Sequence, residues 1–447
     1  MMLRLHSAHL LLHLLTSGML RALLLLSQLL GLMAATRPPS MTDGLERLQC
    51  STYWRLYGYL VLLLVLCYSP YAFYIVYTRM DFLRQNRLLL IVGCHRYALL
   101  LCAALVTLYS HTTRQLGIIA WVNRLIWCRH QLFVLLHTTR LQEAARVLHT
   151  RDHLTIYTLA LSIVCSCSYT MFILQKDPMA QRSPMYFCSV LFFYGCQLSL
   201  QVCLGLYLLG LLLISHLSHH SNLLLAQILA DAVNIQHALL ARCLPSRRRL
   251  HEAQQNWLAL ELWRLWRLHG QLVQLSSRLC LLNGIQLLAF VVFASTELVM
   301  HSFFSYFVTF SRWWLRKFGK PAPWNPQGTI FTVSLFVQLT LVVVQTHRLR
   351  QLFKTTRRTL REGALALPAD CSKALRQTVG YYARIEIPWQ TLIILHLYGL
   401  HLQLNERVFN LTACGLFELN NGLLFGIVQT IIIYTMILIQ FDKIMNR

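Results

Sequence analysis

Acidic residues are scarce in this chain. Sixteen Asp and Glu stand against 40 Lys and Arg in 447 residues, and charged residues of both signs make up only 13%. So little charge cannot clothe a water-soluble globule of this length. With 56% of residues hydrophobic, the composition belongs to polytopic α-helical membrane proteins. The constellations that carry catalysis are also missing. There is no Gly-x-Ser-x-Gly, no Walker-type loop, no His-Glu-x-x-His and no carboxylate pair at catalytic spacing, so neither an enzyme nor a cofactor is expected. The net charge of +24 comes without a nucleic-acid recognition module, and in a membrane protein it reflects basic cytoplasmic loops beside anionic lipid. Nearly all of the 14 cysteines fall inside apolar runs or basic loops, and neither Cys165/Cys167 nor Cys188/Cys196 has metal-finger spacing. They read as small packing residues, with no disulfide framework.

What is present is a series of apolar runs. Seven are long enough to cross the ~30 Å hydrocarbon core of a bilayer, at 53–77, 88–109, 154–174, 185–214, 281–310, 329–347 and 422–441. Lys and Arg are unevenly shared between the two sides. The segments before span one, between spans two and three, four and five, and six and seven hold 27, and the opposite side holds 11. The basic side is expected to be cytoplasmic, so the amino terminus lies inside and the short tail after Phe441 outside. That orientation is the reverse of a G-protein-coupled receptor, and neither Asp-Arg-Tyr after span three nor Asn-Pro-x-x-Tyr in span seven is found. A polytopic transporter would be expected to show repeat symmetry between its halves, and none is apparent.

Two cytoplasmic segments are too long for turns. Residues 215–280 carry helical periodicity in Trp257, Leu260, Leu262, Leu265 and Leu268, with Trp263 and Trp266 alongside. Residues 348–421 repeat the habit, and the twelve-residue apolar run 389–400 reads as a buried helix rather than a span. Spans four, five and six are expected to extend into the cytosol and pack around the start of span seven. His216, His219 and His220 have spacing that suits a metal, but no acidic or cysteine partner is near in sequence, so they read as helix-surface histidines. The Asn410-Leu411-Thr412 sequon falls on the cytoplasmic side, where it stays unmodified. Residues 1–36 suit a signal peptide, a span or a retained interfacial helix. The apolar stretch is overlong for a signal and is interrupted by Arg21, and tandem Pro38-Pro39 ends it.

Ionisable groups within a span are costly and mark candidate functional positions. His95 and Arg96 lie in span two and Glu297 midway along span five, at depths where Arg96 and Glu297 can pair. The pair either makes both charges tolerable in low dielectric or lines a ligand cavity.

The last run, GLFELNNGLLFGIVQTIIIYTMILIQF at 415–441, is nearly all apolar from Gly422 onward. Gln429 and Gln440 are eleven positions apart and return to within ~20° of one face. Such amides either bond a neighbouring helix, which spacing alone favours, or line water. Tyr434, five residues, then Gln440-Phe441 resembles the C-terminal signature of insect gustatory receptors: Thr-Tyr, five hydrophobics, Gln-Phe. Ile433 stands where that family usually has Thr, and Thr435 fills a hydrophobic slot. GLFELN at 415–420 is similar to the family's approach to its seventh helix, and LRALLLLSQLLGL at 20–32 to the short helix before its first span. In layout the resemblance covers the whole chain, and in letters roughly 20–35 and 410–442.

The resemblance implies an all-α membrane protein with seven transmembrane helices, a cytoplasmic amino terminus and long cytoplasmic helical extensions. Its parts are a cytoplasmic segment 1–52, a ligand-binding bundle 53–347, a cytoplasmic anchor 348–421, and a pore helix with its tail at 422–447. It implies a ligand-gated cation channel subunit for small-molecule tastants, in a homo- or heterotetramer in the plasma membrane of chemosensory neurons, with bitter or aversive compounds the family's broadest category. Span seven would line the pore with Gln440, Phe441, Tyr434, Gln429, Met436 and Ile437. A pocket in the outer half of the bundle adds Tyr169, Tyr186, Tyr194, His301, Tyr306 and Trp313 to His95, Arg96 and Glu297. The departures at Ile433 and Thr435 keep open a co-receptor subunit with no conductance of its own.

Overall fold

The computed structural model describes residues 18–36, 47–79, 86–137, 150–176, 183–240, 245–311, 314–316, 319–320, 326–366, 412–413 and 417–445. The run 389–400, the sequon at 410–412 except Thr412, and Trp313 lie outside them. The elements, in order, are helix α1 (Gly18–Leu29), strands β1 (Ala35–Thr36) and β2 (Gln49–Cys50), and helices α2 (Thr52–Arg79), α3 (Arg87–His137), α4 (Thr150–Lys176), α5 (Pro184–Leu240), α6 (Pro245–Phe310) and α7 (Pro326–Ala366). Strands β3 (Thr412–Ala413) and β4 (Phe417–Glu418) and helix α8 (Asn421–Met445) complete the chain. Both sheets are two-stranded and antiparallel, with Ala35 opposite Cys50 and Thr412 opposite Glu418. Among the described residues, α2, α3, α5, α6, α7 and α8 are long and apolar enough to cross a membrane, and α4 covers the third run.

Length separates the helices into two kinds. At ~1.5 Å per residue, the 51 residues of α3, 57 of α5 and 66 of α6 run far beyond a ~30 Å hydrocarbon core, so each projects from it. Helical extensions of the flanking spans are expected over 215–280; residues 215–240 continue α5 and 245–280 begin α6, and Leu262, Leu265, Leu268 and Leu272 bury one stripe of that helix. The segment after Tyr109 departs from expectation. It continues α3 to His137, because Ile119, Leu125, Cys128, Leu132 and Leu136 keep a buried face at helical spacing. The centre of the bundle is α5, which packs against α2, α3, α4, α6 and α7.

The residues after α1 fix it to the bundle. Gly31 takes φ of 71°, the left-handed conformation that ends a helix, and the amides of Gly31 and Leu32 donate to the carbonyls of Gln28 and Ser27, at 2.9 and 2.8 Å, in a Schellman turn. The turn lies against Gly58 of α2, where a Cβ would come within 2.9 Å of the Gly31 carbonyl oxygen. Tyr57 Oη donates to the Leu29 carbonyl at 2.7 Å. Buried His111 of α3 completes the tie. Its Nδ1 lies 3.2 Å from the Leu32 carbonyl, which only accepts, so Nε2 of the neutral ring is left to accept from Cys203 of α5 at 2.9 Å.

A polar seam joins α4 to α7 in one antiparallel register. Asp152 pairs with Arg348, Thr155 with Gln345 (2.9 Å), Ser162 with Gln338 (3.2 Å) and Ser166 with Ser334 (2.8 Å), and the Tyr169 ring stacks on Phe331 at 4.9 Å. Each forward step of 3, 7, 4 and 3 residues along α4 is matched by the same step backward along α7, so two helical faces meet without slippage. At the basic end His216 Nδ1 also approaches Asp152, at 3.6 Å. The three histidines are therefore not a surface cluster. His220 is buried, and His216 finds its acidic partner on α4, which sequence distance conceals. Burial raises the Asp152 carboxyl, but the hydrogen bonds and charges of His216 and Arg348 outweigh it and hold the group below its ordinary value.

Two outcomes follow. Gly58→Val forces a branched side chain against the Gly31 turn and lowers stability by about 1–3 kcal/mol. Gly18→Ala, where nothing lies within 4 Å of the added atom, is neutral. Thermal unfolding of detergent-solubilised protein reads both. Because the folded pKa of Asp152 is depressed, its contribution is complete above the unfolded value of ~3.9 and is lost as pH falls through the folded value. Asp152→Asn is thus less stable than wild type at neutral pH, and its melting temperature falls less on acidification below that point.

Candidate functional site

Four helices converge on one charged group. Glu297 of α6 is buried, with 2% of its side chain exposed, and takes a 2.7 Å ion pair from Arg96 Nε of α3. One turn further along α6, His301 Nε2 stands 3.7 Å from the second carboxylate oxygen. Tyr169 of α4 and Phe331 of α7 close the other side. The His301 ring lies 5.7 Å from Tyr169 and 5.0 Å from Phe331. Arg96 stacks over Tyr97 at 5.9 Å, and Tyr97 rests on Phe193 of α5 at 4.7 Å. Glu297 Oε2 and His301 Nε2 have no hydrogen-bond partner among the described residues. Together these groups offer a cation, an anion, a basic ring and two aromatic faces within one layer of the bundle, a chemistry that suits a small polar organic molecule.

The residues singled out in sequence are thus divided. Arg96, Glu297, His301 and Tyr169 come together. His95 is exposed one position away and does not join them. Tyr194 faces Cys167 of α4, and Tyr186 is buried near the start of α5. Tyr306 belongs to a different contact: it meets buried Asp442 of α8, whose Oδ1 accepts from Ser311 Oγ at 3.2 Å. Phe331 and Asp442 are the residues that sequence reasoning missed. Phe331 carries no local signal, whereas an acidic residue beside Gln440-Phe441 in a chain with so few acids was visible.

Helix α8 is the second part of the site. Only 6% of its most apolar stretch is buried, against 78% for α5. It packs chiefly on α6 and more lightly on α7, through Leu424, Ile427, Ile431, Leu438 and Asp442. Gln429 lies two residues from both Ile427 and Ile431, and Gln440 two residues from both Leu438 and Asp442. At ~100° per residue that sets both amides ~160° away from the packed face, and both are exposed. Met436 shares their stripe, while Ile437, Phe441 and Tyr434 lie progressively further round the helix toward its packed face, all exposed.

The buried pair is testable by a double-mutant cycle. Arg96→Leu leaves a buried carboxylate uncompensated and costs up to about 3 kcal/mol, the low end for buried pairs because Arg96 keeps 35% exposure. Glu297→Leu also destabilises. The Arg96→Leu/Glu297→Leu double variant is more stable than the Arg96→Leu single variant, as read by thermal unfolding.

Comparison with known proteins follows the same division between letters and fold. The family model described as 7tm chemosensory receptor matches residues 20–445. A Drosophila melanogaster protein named "Putative gustatory receptor 77a" is 42% identical over 425 residues, which cover 94% of this chain and 91% of that protein. Among solved structures, the insect olfactory receptor OR5 from Machilis hrabei superposes with a TM-score of 0.58 at 10% identity, covering 94% of this chain and 97% of that one. At that identity the likeness is one of fold, an all-α membrane protein. The chain belongs to the insect gustatory receptor family, within the 7tm chemosensory receptors.

Proposed function

We propose that this chain is a subunit of a ligand-gated cation channel that detects small-molecule tastants at the plasma membrane of chemosensory neurons. It carries no catalytic activity. Four subunits surround one pore, each contributing α8, and the basic side of the bundle is cytoplasmic. The bundle 53–347 binds ligand, 348–421 anchors the subunits to each other, and 422–447 conducts. The observation that carries the reading is the exposure of α8. Its amide-bearing stripe points directly away from the rest of the subunit, which is where other copies and a water column would stand.

Gating then has simple physics. Four Phe441 rings near the outer end close a narrow pore by dewetting, and four Gln440 amides solvate the open form. Tyr434, Ile437 and Met436 line the approach, with Gln429 one leaflet deeper. Ligand binds among Arg96, Glu297, His301 and Tyr169, where the unsatisfied Glu297 and His301 atoms accept or donate to it. It opens the channel only insofar as it binds the open arrangement more tightly than the closed one. Tyr306 on α6 and Ser311 just past its end meet Asp442, so the helix that carries Glu297 and His301 touches the segment read as the gate. A bitter or otherwise aversive compound is the default ligand of such a receptor.

A second reading is supported by Ile433 and Thr435, which depart from the family signature within the pore helix itself. On it, the chain is a co-subunit that conducts only beside sister receptors. Current recorded from cells expressing the chain alone, and then with partner receptors, separates the two. In whichever assembly conducts, Phe441→Ala raises the ligand-independent leak and Gln440→Ala alters ion selectivity or agonist response. Unchanged leak, selectivity and response in both variants contradict the pore assignment.

A further inference from the structure

A cavity of 360 Å³ separates α1 from α4 and α5, and none of its lining residues belongs to α8 or to the Arg96–Glu297 cluster. Its walls are apolar: Leu23 and Leu26 on α1, Leu159 and Ile163 on α4, Leu208 and Leu212 on α5. The wall on α4 runs from Thr155 to Val164, ~14 Å at the helical rise, which is about half of a ~30 Å hydrocarbon core. A slot this long and this apolar matches one acyl chain within one leaflet. Its position agrees, because Thr155 lies one turn from the Asp152–Arg348 pair at the basic end of the seam. Leu24, Leu25 and Leu29 are exposed on the face of α1 away from the slot.

Charge identifies the headgroup. Arg151 is exposed one turn before Thr155, and its carbonyl accepts from the Thr155 hydroxyl at 2.9 Å. An acyl chain in the slot therefore ends one helical turn from the exposed Arg151, and a basic group near the surface favours an anionic lipid. We propose that the slot between α1, α4 and α5 is a binding site for one anionic glycerophospholipid of the leaflet on the basic side, with its acyl chain among Leu23, Leu159 and Leu208 and its headgroup beside Arg151. The site is independent of the pore assignment and is read without any ionic current.

The test uses full-length protein in nanodiscs of phosphatidylcholine doped with a phosphatidylserine that carries a photoactivatable diazirine midway along one acyl chain. After illumination, peptide mass spectrometry maps the adducts. Labelling of residues 19–26 and 156–164 exceeds that of the exposed α2 face at Leu60, Leu63 and Leu66 several-fold. Excess unlabelled phosphatidylserine suppresses it and excess phosphatidylcholine does not, and Arg151→Glu cuts that anionic preference about fivefold. Ala160→Trp fills the slot and abolishes the excess labelling, and Leu209→Trp does the same from α5 should the first variant fail to fold. Labelling no greater than on the α2 face overturns the proposal, as does labelling that survives both tryptophan variants. An increase on deleting residues 1–17 also overturns it, because the occupant would then be the chain's own amino-terminal segment.

Discussion

A backbone that crosses lipid has to satisfy its own amides and carbonyls, so every crossing segment of this chain is a helix and only side-chain faces remain to distinguish one from another. That constraint sorts the bundle. Helix α5 is apolar on all sides and is covered on all sides, so it becomes the axis on which α2, α3, α4, α6 and α7 pack. Helix α8 is equally apolar but, among the described residues, is covered on one side only. Since lipid does not drive helices together by the hydrophobic effect, such a helix is held by particular contacts. Here these are the Ser311–Asp442 hydrogen bond and the Phe303, Phe307, Leu438 and Ile439 cluster.

Some of the polar side chains buried in the bundle are organised into sets. The α4–α7 seam turns eight hydroxyl, amide and ionic side chains into matched pairs at one register, from Asp152–Arg348 at one end to the Tyr169–Phe331 stack at the other. Tyr169 and Phe331 also touch His301, so the seam ends in the charged cluster. A molecule bound among these rings presses on two helices whose faces are locked in register over most of their crossing. The Arg96–Glu297 pair is the costliest element of the cluster, and it leaves one carboxylate oxygen and one imidazole nitrogen facing each other without a hydrogen bond.

Much of this was legible in the sequence. The apolar runs and their lengths gave the crossing helices, and two charges at matching depth, Arg96 and Glu297, gave their pairing. Periodicity in Leu262, Leu265 and Leu268 gave the buried stripe on the extension of α6. What was not legible depends on registry between distant segments. The partnership of His216 with Asp152 spans 64 positions, and that of Tyr169 with Phe331 spans 162. No local period encodes either. The extension of α3 to His137 was missed because its stripe of Ile119, Leu125, Leu132 and Leu136 is interleaved with Arg114, Arg124 and Arg129, which read as loop charge. The Gln429 and Gln440 stripe was visible as a shared face, but spacing alone pointed to helix glue. Knowing which face of α8 is already occupied turned the amides outward.

The account stands on that outward stripe facing water rather than lipid. The direct measurement is the rate at which a membrane-impermeant thiol reagent modifies single cysteines introduced into the full-length protein in cell membranes, over the background of the unsubstituted chain and with partner receptors present if the chain needs them. Cysteines at 429 and 440 are predicted to react far faster than one at Leu63 on the exposed face of α2 or at buried Ile427. Rates at 429 and 440 no faster than at Leu63 would place α8 against lipid and contradict its role as the pore.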